Sequence, residues 1–201
     1  MSVDLHSTQA PSLSLTSLDL SCPSGANASL SVSGITLLAD AIRDHVTLLE
    51  LDLQWNGLTG ACIEILAQSL VHNKSIETLC LSHNPMKCTG AVALATLLAH
   101  NSTLLRLYLD ETEILGDGTD ALMQTLQSQN RSLLELSLRG NRCQIHNIVA
   151  KSMSLMVRTN RTLRILDLRN IKFTLLAHDM AALAAAKKEN PALEVLISRL
   201  S

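Results

Sequence analysis

The sequence predicts an α/β solenoid, a right-handed coil with a sheet of about seven parallel strands on one side and helices on the other. A phrase of the form L-x-x-L-x-L-x-x-N returns along the 201 residues at steps of 28 to 33 residues. The copies begin at Leu15, Leu48, Ile76, Leu104, Leu133, Leu163 and Leu193. A strand phrase followed by a helical phrase at this period is typical of solenoids, whose coils bury their leucines against one another.

Each strand phrase alternates apolar and polar residues, so the register follows from period two. In the second repeat Leu51 and Leu53 are predicted to point inward. Asp52 and Gln54 are predicted to point outward from the same strand. The same alignment places Ile197 outward in the last strand.

The asparagine that closes the phrase is present in three repeats, at Asn56, Asn84 and Asn141. The weaker copies have other residues there: Pro23, Thr112 and Ile171. We therefore expect the middle coils to be the most regular, and the first coil and the C-terminal half to be looser.

A helical phrase follows each strand, and such a crossover makes consecutive strands parallel. The Thr-Gly pairs at 59–60 and 89–90 are predicted to open two of the helices. An apolar stripe at helical spacing follows the first pair: Ile63, Leu66, Ala67 and Leu70. Ala61 and Cys62 are small, so we expect them to let this helix approach the strands closely.

Five N-x-S/T sequons occur, and four of them share one phase of the repeat: Asn73, Asn101, Asn130 and Asn160. Asn27 is the fifth, and Asn190 has the shared phase but is followed by proline. We interpret the four as structural residues at helix ends, where asparagine tolerates a left-handed backbone. Glycosylation is the alternative interpretation of such sequons.

Composition predicts a cytoplasmic protein without nucleic-acid or membrane partners. The formal net charge is −2, no apolar run could span a bilayer, and the N-terminus lacks the features of a signal peptide. The five cysteines are odd in number and form no metal-binding spacing, which favours free thiols in a reducing compartment. Residues 1–12 are predicted to be a polar segment before one repeat domain over residues 13–201.

The outward side chains of the strands form the candidate partner-binding face. Tryptophan, tyrosine and arginine are the residue types that most often anchor interfaces. The candidate residues are Trp55, His83, Arg106, Tyr108, Asp110, Arg139 and Arg169. Charge is predicted to be graded along the solenoid, with Asp19, Glu50 and Asp52 early and Arg139, Arg142, Arg164, Arg169 and Arg199 late. The alternative is a solvated face of mixed charge.

The sequence offers few candidates for chemistry. Cys80 and His83 are spaced like a nucleophile and its base, but no third group is placed to orient the histidine. His72 and His100 share one phase of the repeat, yet no third ligand recurs there, so a metal site lacks its ligand set. We predict no enzyme activity, no cofactor and no metal, with Cys62 and Cys143 filling gaps in the core.

The period, the TGA-x-x-L-A-x-x-L helix phrase and the HN-x-S-I/L-E-x-L join resemble the leucine-rich repeats of the ribonuclease-inhibitor-like class. The resemblance covers about residues 13–200, and LVHNKSIETLCLSHNP looks most like the C-terminal repeats of NOD-like receptors. It implies a leucine-rich-repeat solenoid whose concave sheet binds a protein partner, as part of an innate-immune-type receptor or a scaffold. The P-loop of the receptors does not occur in this sequence.

Two alternatives come from the same resemblance. One is a regulator of the Ran GTPase-activating-protein type, for which Arg106 or Arg139 would approach the nucleotide. The other is a cytoskeletal or ciliary scaffold. The last strand phrase, LEVLISRL, has no polar cap, so we also expect a fragment of a longer chain, a covering partner or self-association through this strand.

Overall fold

The computed structural model describes residues 14–23, 30–141, 147–171 and 177–198. The predicted polar segment 1–12 lies outside these ranges, as do the side chains of Asn27, Arg142, Cys143 and Arg199. Within the described ranges, no helix is long and apolar enough to cross a membrane.

Strands and helices alternate along the described chain, as the repeat predicts. The seven strands are β1 Ser17–Asp19, β2 Glu50–Asp52, β3 Thr78–Cys80, β4 Arg106–Tyr108, β5 Glu135–Ser137, β6 Ile165–Asp167 and β7 Glu194–Leu196. The six helices are α1 Val32–Arg43, α2 Gly60–Leu70, α3 Lys87–His100, α4 Gly116–Ser128, α5 Asn147–Thr159 and α6 Ala177–Glu189. The strands form one parallel sheet in chain order, β1 to β7, which confirms the predicted solenoid.

The core is a stack of aliphatic side chains between the sheet and the helices. The central residues of the inner strands pair in register and are at most 1% exposed: Leu51, Leu79, Leu107, Leu136 and Leu166. The stripe predicted for α2 is buried as well. Each coil therefore contributes one layer of leucines, and burial of this apolar surface stabilises the fold.

Two details of the helices differ from the predictions. The second Thr-Gly pair lies inside α3, because the backbone N–H of Gly90 already donates to Met86 O at 3.1 Å. Ala61 is exposed, so it does not mediate the close approach predicted for it. Gly60 instead permits a close approach between α2 and α3, since a Cβ added to it would lie 2.7 Å from the Cβ of Thr89.

The last strand is shifted by one residue from its predicted register. Val195 pairs with Leu166, so Leu196 takes the outward position that the repeat phrase assigns to Ile197. The cause lies in the turn before β7, where Leu193 N–H donates to Asn190 O at 3.3 Å. Pro191 favours such a tight turn, and the strand consequently begins one residue early.

The asparagines that close the phrase form a hydrogen-bonded ladder between coils, which we call the turn ladder. Asn84 Oδ1 accepts from Asn56 N–H and Leu58 N–H in the preceding coil, both at 3.0 Å. Asn84 Nδ2 donates to Leu53 O at 2.9 Å and to Leu81 O at 2.8 Å. One carboxamide thus satisfies four buried backbone groups, which would otherwise destabilise the fold.

The turn ladder changes where asparagine is replaced. Thr112 is fully buried and donates its hydroxyl to Leu109 O at 2.8 Å, so it satisfies one of the carbonyls. The side chain of Thr112 is too short to reach the preceding coil. The hydrogen bond to that coil is made by its backbone oxygen, which accepts from Lys87 N–H at 3.1 Å. Ile171 occupies the same phase as a buried apolar residue, which ends the described ladder.

A second ladder lies at the helix ends and explains the sequons. Asn101 Nδ2 donates to Leu70 O at 2.8 Å and Asn73 O at 3.1 Å. Its Oδ1 accepts from Thr103 N–H and Leu104 N–H, each at 2.8 Å. The equivalent residues are also at least 95% buried: Asn73, Asn130, Asn160 and Asn190. A side-chain nitrogen held in this way is inaccessible to a glycan.

The predicted reason for these asparagines was wrong, although their structural role is confirmed. Asn101 has φ −100° and ψ 129°, which is extended backbone rather than the left-handed conformation. Apart from Lys87 at the start of α3, the left-handed residues of the described chain occur in the turns at the carboxyl ends of the strands.

Candidate protein-interaction face

A row of left-handed residues borders the outward face of the sheet. Four non-glycine residues at one phase of the repeat have φ between 52° and 61°, and the remaining member of the row is a glycine with φ 68°. They are Trp55, His83, Glu111, Gly140 and Asn170. We call this row the turn row. Such a backbone is uncommon for a bulky residue and costs about 1–2 kcal/mol, so the hydrogen bonds between coils maintain it in each turn.

The turn row brings Trp55 against His83. Their ring centroids are 3.7 Å apart and the planes differ by 8°, which is a stacked arrangement. His83 Nδ1 lies 3.7 Å from Glu111 Oε2 in the next coil. Trp55 remains 47% exposed, as the sequence predicts for a solvent-facing residue. The stack therefore fixes the orientation of an indole that still offers surface to a partner.

Arg106 and Tyr108 occupy the centre of the sheet and are both half-buried. Tyr108 donates its hydroxyl to Glu135 Oε2 at 3.1 Å. Burial, followed by the negative charge of Glu135, raises the pKa of Tyr108 to about 12. Arg106 Nε donates to Thr78 Oγ1 at 2.9 Å. These side chains are held in single orientations, which reduces the entropy lost when a partner binds.

Asp110 and Asp167 lie on the same face in a polar network. Ser137 donates its hydroxyl to Asp110 Oδ1, and Arg169 contacts both carboxylate oxygens of Asp167, with Nη2 to Oδ2 at 2.6 Å. Burial raises the pKa of Asp110 despite its bond to Ser137. Burial also raises the pKa of Asp167, but the hydrogen bonds from Arg169 outweigh this and hold it below its ordinary value.

The acidic end of the predicted charge gradient agrees with the described residues. The outward strand residues of the first three coils include Asp19, Glu50 and Asp52 and no lysine or arginine. Of the late arginines, Arg169 is paired with Asp167, Arg139 and Arg164 are exposed, and Arg142 and Arg199 lie outside the described residues. The basic end of the predicted gradient therefore stays a prediction.

Three of the residues considered for chemistry have other partners in the structure. Cys80 Sγ lies 3.7 Å from Ser82 Oγ, and burial, followed by its carboxylate neighbours, raises the pKa of this thiol. His83 contacts Trp55 and Glu111 instead. A thiol with a raised pKa is a poor nucleophile near neutral pH. His100 Nδ1 lies 2.9 Å from Thr96 O at the end of its own helix.

Sequence reasoning did not anticipate Glu135 and Thr78 as partners of candidate residues. Both occupy the outward position before the second leucine, so the period-two register could have placed them beside Arg106 and Tyr108.

Sequence reasoning also missed a groove of about 530 Å³ between α2 and α3 on the helical side. Ala67, Val71, Val92 and Leu97 contribute to its apolar lining.

Comparison with known proteins agrees with the repeat architecture. A family model described as Leucine Rich repeat matches residues 45–61 and 72–95. Human NACHT, LRR and PYD domains-containing protein 14 is 29% identical over 167 residues, covering 68% of this chain and 15% of that protein. Pig ribonuclease inhibitor is 28% identical over 142 residues, covering 70% of this chain and 31% of the inhibitor. The chain thus spans less than a third of the length of these relatives.

Solved structures share the fold. The actin-binding site 2 domain of leiomodin-1 superposes with a TM-score of 0.65 at 22% identity, covering 80% of this chain and 90% of that one. The C-terminal domain of Caenorhabditis elegans tropomodulin gives 0.63 at 18% identity, covering 80% and 93%. Parallel sheet, ladders and repeat together define a solenoid-type interaction module. The chain carries leucine-rich repeats similar to those of NACHT/LRR proteins and ribonuclease inhibitor.

Proposed function

We propose that this leucine-rich-repeat module is non-enzymatic and binds a protein partner on its concave sheet face, with Trp55 and Tyr108 as the anchoring side chains. The observation that carries the proposal is the indole of Trp55, which is stacked on His83 and still 47% exposed. Aromatic residues held in one orientation contribute strongly to interfaces because little conformational entropy is lost on binding.

The remaining candidate residues extend this face along the sheet. Arg106 and Asp110 lie in the same coil as Tyr108, and Arg139 is exposed in the next. Arg169 is oriented by Asp167. The proposed setting is the sensing or regulatory part of a cytoplasmic receptor or scaffold, supported by the likeness to NACHT, LRR and PYD proteins.

The test is affinity capture from the source cell with a Trp55→Gly/Tyr108→Ala double variant. Glycine is used at position 55 because Gly140 has the same phase and a similar left-handed backbone. The control is Val92→Ser, which changes an exposed residue on the helical side. We expect the double variant to lose proteins that the wild type and the control both capture. Equal capture by all three chains, with equal melting temperatures, would contradict the proposal.

The two alternative functions have direct assays. A GTPase activator would accelerate GTP turnover by small GTPases, and that acceleration would fall when Arg106 or Arg139 is replaced by alanine. A cytoskeletal scaffold would cosediment with filaments. Among the described residues, Arg106 is engaged with Thr78 and nothing distinguishes Arg139, so no observation favours the GTPase-activator alternative. Self-association through the last strand would appear as a doubled mass in light scattering.

A further inference from the structure

Asn56 is followed by Gly57, and no other asparagine in the sequence precedes a glycine. This pair is chemically reactive because glycine has no side chain to hinder its backbone nitrogen. That nitrogen, after losing its proton to water or hydroxide, attacks the Cγ atom of the asparagine. A C–N bond forms, the Cγ–Nδ2 bond breaks and ammonia leaves, giving a cyclic imide. Water then opens the ring to aspartate or isoaspartate, with no change of oxidation state.

The folded structure opposes this reaction. Asn56 is 2% exposed and its Nδ2 donates to three carbonyl oxygens, of Leu20 at 2.9 Å, Leu53 at 3.1 Å and Gln54 at 3.0 Å. Its backbone N–H donates to Asn84 Oδ1 at 3.0 Å. The carboxamide must leave these partners before Cγ can approach the nitrogen of Gly57.

One of these partners belongs to the first coil, which has exposed leucines in its repeat phrase. Leu20 lies in the first coil, where Leu15 and Leu20 are 49% and 36% exposed. The corresponding residues of the second coil, Leu48 and Leu53, are at most 1% exposed. Segments with few buried apolar contacts open at lower free energy than the rest of a protein. Separation of the first coil from the second would therefore break the bond to Leu20 and leave Asn56 only the two Nδ2 bonds within its own turn, to Leu53 O and Gln54 O.

We propose that Asn56 is a deamidation site of this protein, that opening of the first coil controls its reaction, and that the product displaces Trp55. The carboxylate formed has no N–H to donate and would face three carbonyl oxygens in the turn ladder. Trp55 is the preceding residue and its left-handed backbone is held by that ladder. The consequence for partner binding rests on the proposed function, whereas the modification itself does not.

The test follows the modification by peptide mapping. The wild-type chain is incubated at mildly alkaline pH, in buffer and in urea, and digested with trypsin. Asn56 and Asn84 then fall in separate peptides, because Lys74 lies between them. We expect Asn56 to be the first asparagine converted, at least about tenfold more slowly in buffer than in urea because the reaction requires opening. Equal rates in both, or earlier conversion of another asparagine in buffer, would overturn the proposal.

Two variants test the mechanism. Gly57→Ala should slow conversion of Asn56 even in urea, because the methyl group hinders the nitrogen. Pro85→Gly gives Asn84 a glycine neighbour one coil deeper. The Nδ2 group of Asn84 also donates to buried carbonyl oxygens, those of Leu53 and Leu81. In this variant Asn84 should react like Asn56 in urea but more slowly than Asn56 in buffer. Equal rates in buffer would show that the first coil does not control the reaction.

The effect on Trp55 has its own measurement. Trp55 is the single tryptophan, so tryptophan fluorescence reports only on this residue and therefore on its stacking against His83. The converted fraction, separated by ion exchange, and an Asn56→Asp variant should both show altered emission and weaker partner capture. Unchanged emission would refute the displacement of Trp55. Altered emission with unchanged capture would count against the proposed function and leave the deamidation site standing.

Discussion

Trp55 and His83 stack face to face across two coils, 3.7 Å apart, and each has a left-handed backbone with φ of 61° and 60°. Both residues sit where the parallel strands end, at one phase of the repeat. Their backbone N–H groups donate to the next coil, Trp55 to Ser82 O at 3.2 Å and His83 to Asp110 O at 2.7 Å. The hydrogen bonds of the turns therefore align two rings that the sequence separates by a full repeat.

Replacement of Trp55 should separate backbone strain from side-chain stacking. Trp55→Ala and Trp55→Gly both remove the stack, which contributes about 0.5–1.5 kcal/mol. Only alanine retains the left-handed strain, so the glycine variant should be more stable than the alanine variant by about 1 kcal/mol. Urea unfolding measures this difference. Equal stability of the two variants would mean that the turn has relaxed to another conformation.

The helix-end ladder predicts a large effect at Asn101 and a small one at its sequon partner. Asn101→Ala leaves two N–H groups and two carbonyl groups without their partner, so we expect a loss of about 3 kcal/mol or more. Thr103→Ala also destroys the sequon but keeps the backbone N–H that binds Asn101. It should change the unfolding free energy by less than about 0.5 kcal/mol. Similar losses in both variants would contradict the ladder.

Two helical glycines should respond oppositely to alanine. A Cβ on Gly118 would lie 2.8 Å from the Cβ of Ala91 and 3.2 Å from Cys88 Cα, so Gly118→Ala should cost about 1–3 kcal/mol. A Cβ on Gly34 meets nothing closer than 3.5 Å. Gly34→Ala should therefore stabilise α1 by about 0.5–1 kcal/mol, because alanine favours the helix. Thermal melting of the two variants and the wild type tests both predictions: the melting temperature should fall for Gly118→Ala and rise for Gly34→Ala.

Asp110 and Asp167 should affect the pH dependence of stability in opposite directions. The pKa of Asp110 is raised by burial, so its ionisation costs stability as pH rises above the ordinary value of 3.8. Asp110→Asn, whose oxygen still accepts from Ser137, should thus be more stable than wild type near neutral pH. The difference should vanish below pH 3.8.

Asp167 has the opposite sign because its pKa is lowered from 3.8 by Arg169, against the effect of burial. Its charge contributes stability above pH 3.8 that is lost as pH falls through the lowered pKa. Asp167→Asn should be less stable than wild type near neutral pH and approach it in acid. Urea midpoints from pH 3 to 7 test both variants, and a shared sign would contradict the two assignments.

Much of the fold could be predicted because the leucine spacing encodes burial directly. Leu51 and Leu53 point inward and Asp52 outward because strand residues alternate, and this needs no knowledge of neighbouring coils. The register of β7 could not be predicted in this way. The register depends on which oxygen of Asn190 accepts from the turn, the side-chain oxygen or the backbone oxygen. In the structure the backbone oxygen accepts from Leu193 N–H.

On the candidate face, the outward positions of side chains could be predicted from the sequence, but their contacts could not. The sequence placed Trp55 and Tyr108 outward, and the structure agrees. It did not indicate that Trp55 stacks on His83, that Glu135 accepts from Tyr108, or that Asp167 engages Arg169. The first two contacts join residues in adjacent coils, and the third depends on which rotamer the strand end allows.

The leucine spacing alone predicts the period, the parallel sheet and the burial of the leucines, because each follows from local alternation repeated about every 28 residues. The tertiary structure decided which asparagines bridge coils, where left-handed turns lie and which charges cancel. These features arise only when coils stack, because a group such as Asn84 Oδ1 meets its partners, Asn56 and Leu58, across the full length of a repeat.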